Sequence, residues 1–278
     1  MNMIKARKLL EQFLLEDVQD LDITSQSLFN SSDHGKAEFI VKERGILSGL
    51  MLINELYGLI DSAVSVALYK QDGELAEAGE RIALITGPVQ SLLTGERVVL
   101  NLIQRMSGIA TLTDQAVKTL NSTHTKICDT RKTTPGLRMF EKYAVRCGGG
   151  MNHRFGLYDG VMLKDNHIEY AGSIKNAVER VRSQIGHMVK IEVEIETQEQ
   201  LHQAIESKAD IIMFDNCSPK TIKNWIADVP EGIVTEASGG ITLNKLEEYS
   251  ACGVDYISLG FITHSVKSLD ISLDIKLT

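Results

Sequence analysis

The chain has 278 residues, 43% of them hydrophobic and 24% charged, a composition typical of a globular protein. Its 37 acidic residues outnumber 29 basic ones, and this acidic balance argues against nucleic-acid binding through a general basic surface. No apolar run approaches the roughly 20 residues that span a bilayer, so we expect no membrane association. The four cysteines form no C-x-x-C pair, which predicts a reduced, cytoplasmic protein without a zinc site or a disulfide framework.

The first hundred residues predict a small α+β domain. Residues 1–20 mix acidic with apolar side chains, so we expect an amphipathic helix there rather than a signal peptide. Alternation over residues 36–47 places Ala37, Phe39 and Val41 on one face of a strand. Further strands are predicted at residues 63–69 and 81–85, and a helix at residues 94–106.

From about residue 126 the sequence alternates short apolar runs with amphipathic segments. Short apolar runs are typical of parallel strands that are buried on both faces. The predicted strands are residues 126–129, 160–163, 189–195, 211–214, 233–237 and 254–259. The predicted intervening helices are residues 137–146, 173–185, 198–207, 219–227 and 243–252. This alternation predicts a parallel βα array, either a barrel or an open sheet.

Helix-capping residues support these assignments. Ser173 precedes one predicted helix, and Thr197 precedes another with Gln200 three residues later. Ser218 is followed by Pro219 at the first position of a third helix.

Polar or small residues follow nearly every predicted strand. They are Asp129 to Lys132, Lys164 to His167, Glu194, Asp215 with Asn216, Glu236 to Gly240, and Ser258 to Gly260. In a barrel and in an open sheet alike, the carboxyl ends of parallel strands build the active site. Contact with solvent alone would explain one or two such strand ends, but it explains six poorly. We therefore predict an active-site crevice at this end of the sheet.

Basic residues concentrate in one part of this acidic chain. Residues 131–164 contain seven basic and two acidic side chains, which indicates an anionic ligand. Arg138, Lys142 and Arg146 are spaced as one solvated helix face. That alternative leaves out Arg131 with Lys132, His153 with Arg154, and Lys164, which lie in loops or at strand ends. Arginine suits carboxylates and phosphates because its planar fork donates paired hydrogen bonds.

The segment around His153 contains three consecutive glycines, at residues 148–150. They follow a helix rather than a strand and do not form G-x-G-x-x-G, so no dinucleotide fold is indicated. A histidine alone is more often structural, but His153 stands beside Arg154, which favours an anion contact.

Two carboxylates and two small-residue loops complete the predicted crevice. Glu194 and Asp215 end adjacent strands and could bind a divalent metal, bind ribose hydroxyls or stabilise a developing cation. A salt bridge to Lys132 or Lys164 is the structural alternative. The loops are Ser238, Gly239 and Gly240, and Ser258, Leu259 and Gly260, and they are typical of a phosphate site. The predicted substrates are a multiply negative small acid and a sugar phosphate.

Motifs in fixed order along nearly the whole chain resemble one known family. They are GER at 95–97, NLIQR at 101–105, SGIAT at 107–111, DTRKTTPGLR at 129–138, NHR at 152–154, LKDNH at 163–167, EVE at 192–194, FDN at 214–216, EASGG at 236–240 and HSV at 264–266. They are similar to those of the carboxylating nicotinate-nucleotide pyrophosphorylases, or quinolinate phosphoribosyltransferases. One departure is Leu21 before Asp22, where the family commonly has glycine.

The resemblance implies an N-terminal α/β sandwich domain plus an incomplete (β/α) barrel of the type II phosphoribosyltransferase class. We expect the sandwich at residues 1–106, the barrel at 107–264, and a C-terminal segment, 265–278, that returns toward the first domain. It also implies a homodimer or a hexamer, in which Arg97 of one subunit completes the neighbour's active site.

The resemblance further implies a role for each site residue. Quinolinate carboxylates would be bound by Arg131, His153 and Arg154, and Lys132 and Lys164 would lie between the two substrates. Thr130 would also bind substrate. Glu194 and Asp215 would bind the ribose of phosphoribosyl pyrophosphate, and the loops Ser238, Gly239, Gly240 and Ser258, Leu259, Gly260 its 5-phosphate. Magnesium would arrive with the pyrophosphate, near Glu194 and Asp215. Lys132, Lys164, Glu194 and Asp215 would be the catalytic residues.

Three other functions are compatible with part of this pattern. A paralogue of the same fold, linked to molybdate operons, transfers phosphoribosyl to another acceptor but would not need the Arg131, His153 and Arg154 pocket. A barrel lyase or aldolase would use Lys164 as a Schiff-base amine. A sensor would keep the phosphate loops and bind without turnover, which the presence of Lys132 and the two carboxylates disfavours.

Overall fold

The computed structural model describes residues 1–277. The α-helices in this part of the chain are α1 (Met3–Val18), α2 (Ile23–Leu28), α3 (Met51–Ile60), α4 (Val89–Leu120), α5 (Arg138–Cys147), α6 (Asp165–Ala171), α7 (Ile174–Arg182), α8 (Gln198–Glu206), α9 (Pro219–Trp225), α10 (Leu246–Tyr249) and α11 (Phe261–His264). The strands are β1 (His34–Val41), β2 (Gly45–Ile46), β3 (Ser65–Leu68), β4 (Leu75–Ala76), β5 (Arg81–Pro88), β6 (Lys126–Cys128), β7 (Val161–Leu163), β8 (Ile191–Ile195), β9 (Ile211–Asp215), β10 (Val234–Ser238), β11 (Tyr256–Ser258) and β12 (Ile271–Leu277).

The chain divides into two compact units. The first unit comprises residues 1–114, residues 135–149 and the segment from residue 265 onward, and the second comprises residues 115–134 and 150–264. The division falls inside α4. The domain boundaries expected from the sequence stay predictions.

An antiparallel sheet in the order β12-β1-β5-β3 organises the first unit. Along β1 exposed and buried side chains alternate, and Ala37, Phe39 and Val41 are fully buried, which confirms the predicted apolar face. Successive side chains of a strand point to opposite faces, so alternation is what a sheet with one buried face requires. The predicted strands ended at residue 259 and therefore missed β12, which pairs with β1.

The helix predicted at residues 94–106 is the middle of α4, which has 32 residues. Ser107 and Gly108, which follow the predicted end, are weak helix formers but have packing roles. The buried Ser107 Oγ accepts a hydrogen bond from the Ser48 amide at 3.0 Å. A Cβ on residue 108 would lie 2.3 Å from the Lys267 carbonyl oxygen, so this glycine permits close packing rather than ending the helix.

Two helices of the first unit, α2 and α3, were not predicted from the sequence. In α3 the buried side chains are Leu52, Ile53, Leu56 and Tyr57, which recur at helical spacing and form one apolar face. The pattern was present in the sequence, but a continuously apolar segment is ambiguous between a buried helix and a strand.

A six-stranded parallel sheet organises the second unit. Its order is β6-β11-β10-β9-β8-β7, so the strands after β6 lie in chain order and β6 lies beside the last one, β11. This is the cyclic order of a (β/α) barrel whose first and second strands, β6 and β7, are its edges. The incomplete barrel predicted from the sequence is therefore confirmed.

The capping predictions are confirmed in this unit. Ser173 accepts from the Asn176 amide, Ser218 accepts from the Thr221 amide, and Thr197 forms a capping box with Gln200. The helices of this unit differ from the prediction in two places. An additional helix, α6, precedes α7. The segment predicted as a helix at 243–252 is a 3-10 turn, Leu243–Lys245, followed by the single turn α10.

Among residues 1–277, no helix combines the length and the apolar character that crossing a bilayer requires. The cysteines Cys128, Cys147, Cys217 and Cys252 are all free thiols.

Candidate active site

The predicted site residues of the second unit lie at the carboxyl ends of its parallel strands. Thr130, Arg131 and Lys132 follow β6, Lys164 follows β7, Glu194 lies in the last part of β8, Asp215 ends β9, Ser238 ends β10, and Ser258 ends β11. Parallel strands present these ends on one edge of a barrel, which is where active sites form in this fold class. Register sharpens the placement: Glu194 of β8 and Glu236 of β10 both lie opposite Met213 of the intervening strand.

Lys164 and Glu194 form an ion pair at this end of the sheet. The Lys164 Nζ donates to Glu194 Oε1, which realises the salt bridge considered from the sequence. Burial raises the pKa of Glu194, Lys164 opposes that rise, and the neighbouring charges of Asp215 and Glu192 add to it. A lysine engaged as an ammonium in an ion pair is not the free amine that a Schiff base requires, which disfavours the lyase alternative.

Arg131 and Arg154 are two partly buried cations of the same crevice. Arg154 Nη1 donates to the Gly160 carbonyl at 2.8 Å. Burial lowers the pKa of Arg154, and the positive charge of Arg131 lowers it further. Two guanidinium groups that destabilise one another in this way are compensated when an anion binds between them.

A buried aspartate fixes the loop that carries Arg154. Asp129 is fully buried and accepts from Asn152 Nδ2 at 2.7 Å and from the His153 amide at 2.8 Å. The sequence analysis placed Asp129 at a strand end without a role. Its position directly after an apolar strand was the available signal.

His153 contacts protein groups through both ring nitrogens. Its Nδ1 accepts a hydrogen bond from the Arg154 amide at 2.7 Å, and its Nε2 lies 3.1 Å from Glu192 Oε2 and 3.6 Å from Glu236 Oε2. Burial raises the pKa of Glu236, and the charge of Glu192 adds to the rise. The sequence placed Glu236 among the strand-end residues and Glu192 in a motif, but it predicted a specific role for neither. The signal for Glu192 was its spacing of two from Glu194, since alternate residues of a strand share a face.

The main chain of Lys132 is held between two strand ends. Thr130 Oγ1 accepts from the Lys132 amide at 3.0 Å, and the Lys132 carbonyl accepts from Thr263 Oγ1 at 2.8 Å. A Cβ on Gly260 would lie 3.0 Å from Lys132 Cδ and 3.2 Å from the His264 ring. The glycine thus leaves room for the lysine side chain and for the His264 ring, which lie on either side of it.

The two predicted phosphate loops differ in their backbone. Gly239 and Gly240 adopt positive φ, +89° and +60°, and a Cβ on Gly239 would lie 2.3 Å from Asn216 Oδ1. In the other loop the Leu259 amide donates to the Cys128 carbonyl at 2.9 Å, and Ser258 is buried. The first loop therefore has the open, glycine-dependent conformation typical of anion cradles.

Arg97, the residue expected to act across a subunit interface, lies in α4 within the first unit. Its side chain is 61% exposed, and its Nη2 is 3.8 Å from Glu96 Oε1. An exposed ion pair at this distance contributes little to stability, so the Arg97 side chain can leave Glu96 and bind another anion at little cost in free energy.

Acidic groups at two places could meet a cation. Within residues 1–277, His153, Glu192 and Glu236 form a group whose ligand atoms lie within 4.8 Å of one another. Glu194 and Asp215 supply two carboxylates near each other. Magnesium is commonly held by one or two carboxylates together with substrate phosphates, so Glu194 and Asp215 fit a magnesium ion that arrives with a phosphorylated substrate.

Comparison with known proteins matches both halves of the chain. The sequence model of the quinolinate phosphoribosyl transferase N-terminal domain matches residues 22–107, and that of the C-terminal domain matches residues 109–274. A relative from Bacillus subtilis (strain 168), named a probable nicotinate-nucleotide pyrophosphorylase [carboxylating], is 57% identical over all of this chain and 96% of its own length.

Solved structures of the same kind superpose closely. The crystal structure of NadC from Streptococcus pyogenes has a TM-score of 0.97 at 38% identity, covering 100% of this chain and 99% of its own. The nicotinate-nucleotide pyrophosphorylase from Francisella tularensis has a TM-score of 0.92 at 38% identity, covering 99% of this chain and 98% of its own. The sequence matches, the shared fold and the strand-end site together show that this chain belongs to the quinolinate phosphoribosyltransferase family.

Proposed function

We propose that the residues at the carboxyl ends of β6 to β11 carry out the reaction of this family. The chain is a transferase of NAD biosynthesis: it transfers phosphoribosyl from phosphoribosyl pyrophosphate to quinolinate with decarboxylation, giving nicotinate mononucleotide, pyrophosphate and CO2. The observation that carries the site assignment is the gathering of cations, carboxylates and a glycine cradle at one end of one parallel sheet.

Quinolinate has two carboxylates, and the crevice supplies cations for them. Burial and the nearby charge of Arg131 disfavour the charged form of Arg154, as its lowered pKa indicates, and a bound anion offsets this cost. Lys164, a further cation at the strand ends, pairs with Glu194. His153, the third residue expected to bind a carboxylate, already uses both ring nitrogens within the protein.

The reactive carbon of phosphoribosyl pyrophosphate, C1, would lie between two carboxylates, Glu194 and Asp215, and the cation Lys132. Attack by the quinolinate nitrogen at C1 displaces pyrophosphate through an oxocarbenium-like state. Glu194 and Asp215 stabilise the positive sugar, since carboxylates placed before the reaction need no reorganisation as the charge develops. Lys132 faces the leaving pyrophosphate, and its backbone is fixed by Thr130 and Thr263.

Magnesium is the cofactor we propose, bound with the pyrophosphate and near Glu194 and Asp215. When bound, it neutralises charge on the leaving group. The 5-phosphate binds at the loop of Ser238, Gly239 and Gly240, with the loop of Ser258, Leu259 and Gly260 next to it.

Decarboxylation follows from the product of the transfer. The positive pyridinium nitrogen stabilises the electron pair that stays on the adjacent ring carbon when its carboxylate leaves as CO2, and that carbon then takes a proton from water. The cations must therefore hold one carboxylate and release the other, and equal binding of both would slow this step.

The test is release of labelled CO2 from carboxyl-labelled quinolinate, with and without phosphoribosyl pyrophosphate and magnesium. We expect release only when all three are present. Binding of phosphoribosyl pyrophosphate without release would overturn quinolinate as the acceptor and favour the paralogue or the sensor.

We also propose that the protein acts as a homodimer, or as a hexamer built from dimers, with Arg97 completing the neighbouring site. Two features support a protein interface. Arg97 is exposed, and the loop after Arg154 exposes Leu157 by 75% and Tyr158 by 82%. Exposed apolar groups next to a site are typical of surfaces that bind another chain.

Subunit complementation tests the shared site. Arg97→Ala and Glu194→Gln variants should each be inactive alone, and mixing them should restore activity, because a mixed dimer contains one native site. Mixtures that stay inactive, or a monomer with full activity, would contradict the proposal.

We propose a cytoplasmic location, supported by the four free thiols. Recovery of the activity in the cytosolic fraction of the source cells would be the expected result, and its recovery in a membrane or secreted fraction would contradict it.

A further inference from the structure

Two buried glutamates lie beneath the predicted carboxylate pocket, and the proposed reaction gives neither a task. Glu192 and Glu236 are 3% and 4% exposed, within β8 and β10. The Oε2 atom of each faces His153 Nε2, at 3.1 and 3.6 Å, and the Oε1 atom of each is buried without a hydrogen-bond partner. Buried carboxylates are costly, so a pair of them beside a histidine calls for a function.

The hydrogen bonds of His153 determine where its proton lies. Nδ1 accepts from the Arg154 amide at 2.7 Å, so it carries a lone pair rather than a proton. The ring proton is then on Nε2, which donates to Glu192 Oε2. His153 is therefore a neutral Nε2–H imidazole whose two nitrogens are both engaged.

This tautomer decides between two uses of the cluster. The ligand atoms of His153, Glu192 and Glu236 are close enough together for a divalent cation. A histidine that binds metal through Nε2 normally keeps its proton on Nδ1 and donates it to an acceptor. Here Nδ1 faces a donor, so metal binding would require an imidazolate. The arrangement favours a proton on Nε2 over a metal ion.

We propose that Glu192 is a positioning residue for substrate binding: it orients His153, whose Nδ1 holds the backbone of Arg154 and so aims that guanidinium at the quinolinate carboxylate. Glu236, the second carboxylate of the cluster, supports the same ring from the neighbouring side. Asp129 fixes the His153 amide at 2.8 Å, so the loop is anchored at successive residues. The proposal rests on the proposed function of Arg154.

Kinetics of two Glu192 variants test the role. Glu192→Gln keeps an oxygen acceptor for Nε2–H and should retain a KM for quinolinate within about threefold of the parent. Glu192→Ala removes the acceptor and should raise that KM roughly tenfold, the effect of one positioning hydrogen bond, with the KM for phosphoribosyl pyrophosphate unchanged. Equal increases in both KM values, or no increase, would overturn the proposal.

A matched control separates positioning from loss of stability. Asp255 accepts from the Thr235 amide and hydroxyl at 2.8 and 2.9 Å, at the amino ends of β10 and β11. Asp255→Ala should lower the unfolding midpoint without changing the KM for quinolinate. If Glu192→Ala does not fold, His153→Asn serves in its place, because the asparagine Oδ1 can still accept from the Arg154 amide while the link to Glu192 is lost. It should raise the quinolinate KM to a similar extent, and a parental KM would overturn the proposal.

The nitrogen NMR spectrum of histidine-labelled, substrate-free protein gives a readout that does not depend on activity. We expect His153 to show one protonated and one unprotonated ring nitrogen, with the proton on Nε2. A proton on Nδ1, a doubly protonated ring, or a stoichiometric metal in the purified protein would overturn the proposal. If the spectrum is as expected but Arg154→Ala leaves the quinolinate KM unchanged, the proposed function of Arg154 is wrong while the cluster stands.

Discussion

The two sheets of this protein differ in where they place their charged side chains. In the antiparallel sheet of the first unit, Glu38 of β1 forms a surface ion pair with Arg81 at 2.9 Å, on the face opposite the buried Phe39. In the parallel sheet of the second unit, Glu192 and Glu236 are buried inside strands. Charge on a solvated sheet face costs little, whereas charge inside a sheet with two covered faces needs partners.

The contrast explains why the chemistry belongs to the second unit. Its charged groups are held by specific contacts: the half-exposed Lys164 pairs with Glu194, and the fully buried Asp129 accepts from Asn152 Nδ2 and from the His153 amide. In the first unit, Arg105 Nη2 lies 2.7 Å from the buried Glu141, and the neighbouring Lys142 is also fully buried. Buried polar groups held in place are what transition-state stabilisation requires.

The largest expected effect comes from the carboxylate proposed to face the sugar. Glu194→Gln should lower kcat by about 10²–10³-fold, because it removes negative charge that stabilises the oxocarbenium-like state. Steady-state kinetics measures this effect. The control in the other sheet is Glu38→Gln, which should leave kcat unchanged. Equal losses of kcat in both variants would contradict a catalytic role that is specific to the parallel sheet.

The next effect concerns substrate binding. Arg131→Ala should raise the KM for quinolinate about 10- to 100-fold and lower kcat less than Glu194→Gln does, because a charge-assisted contact to one carboxylate is lost. Arg81→Ala, which breaks the ion pair on the first sheet, provides the control and should leave KM at the parental value. A near-parental quinolinate KM for Arg131→Ala would remove this residue from the site.

A matched pair of glycines tests the phosphate cradle. Gly239→Ala should lower the free energy of unfolding by roughly 2–4 kcal/mol and weaken phosphoribosyl pyrophosphate binding, because its Cβ would lie 2.3 Å from Asn216 Oδ1 in addition to the cost of positive φ. Gly232 also has positive φ, +95°, but a Cβ there meets nothing within 4 Å. Gly232→Ala should cost about 1–2 kcal/mol without affecting binding. Denaturant unfolding and equilibrium binding distinguish the two.

The smallest effect is a pH dependence of stability. Burial, with the charge of Glu192, raises the pKa of Glu236 to about 7. The folded protein therefore binds this proton more tightly than the unfolded chain, and the free energy of unfolding falls as pH rises from the ordinary glutamate range to about 7. Glu236→Gln removes this contribution, so the parent should lose stability relative to the variant over that interval. Urea unfolding at several pH values measures the difference, and parallel curves would contradict it.

Local sequence patterns were sufficient to predict the parallel array and the strand-end residues. Short apolar runs followed by polar groups identify buried parallel strands, and the carboxyl ends of such strands meet on one edge, so Arg131, Lys164, Glu194 and Asp215 could be named without coordinates. The caps at Ser173, Thr197 and Ser218 are equally local, because a side chain bonds an amide three residues away.

The contacts that side chains make across strands could not be predicted from local patterns. Glu192 and Glu236 are 44 positions apart in the sequence, and their approach to His153 depends on the register of β8, β9 and β10. The length of α4 was also not predictable, because Gly108 favours a helix end unless another backbone is known to pack against it. The strand β12 was not predictable because it forms by pairing with the distant strand β1. Local patterns fix which faces are apolar and where strands end, but the pairing of distant residues is set by packing and register.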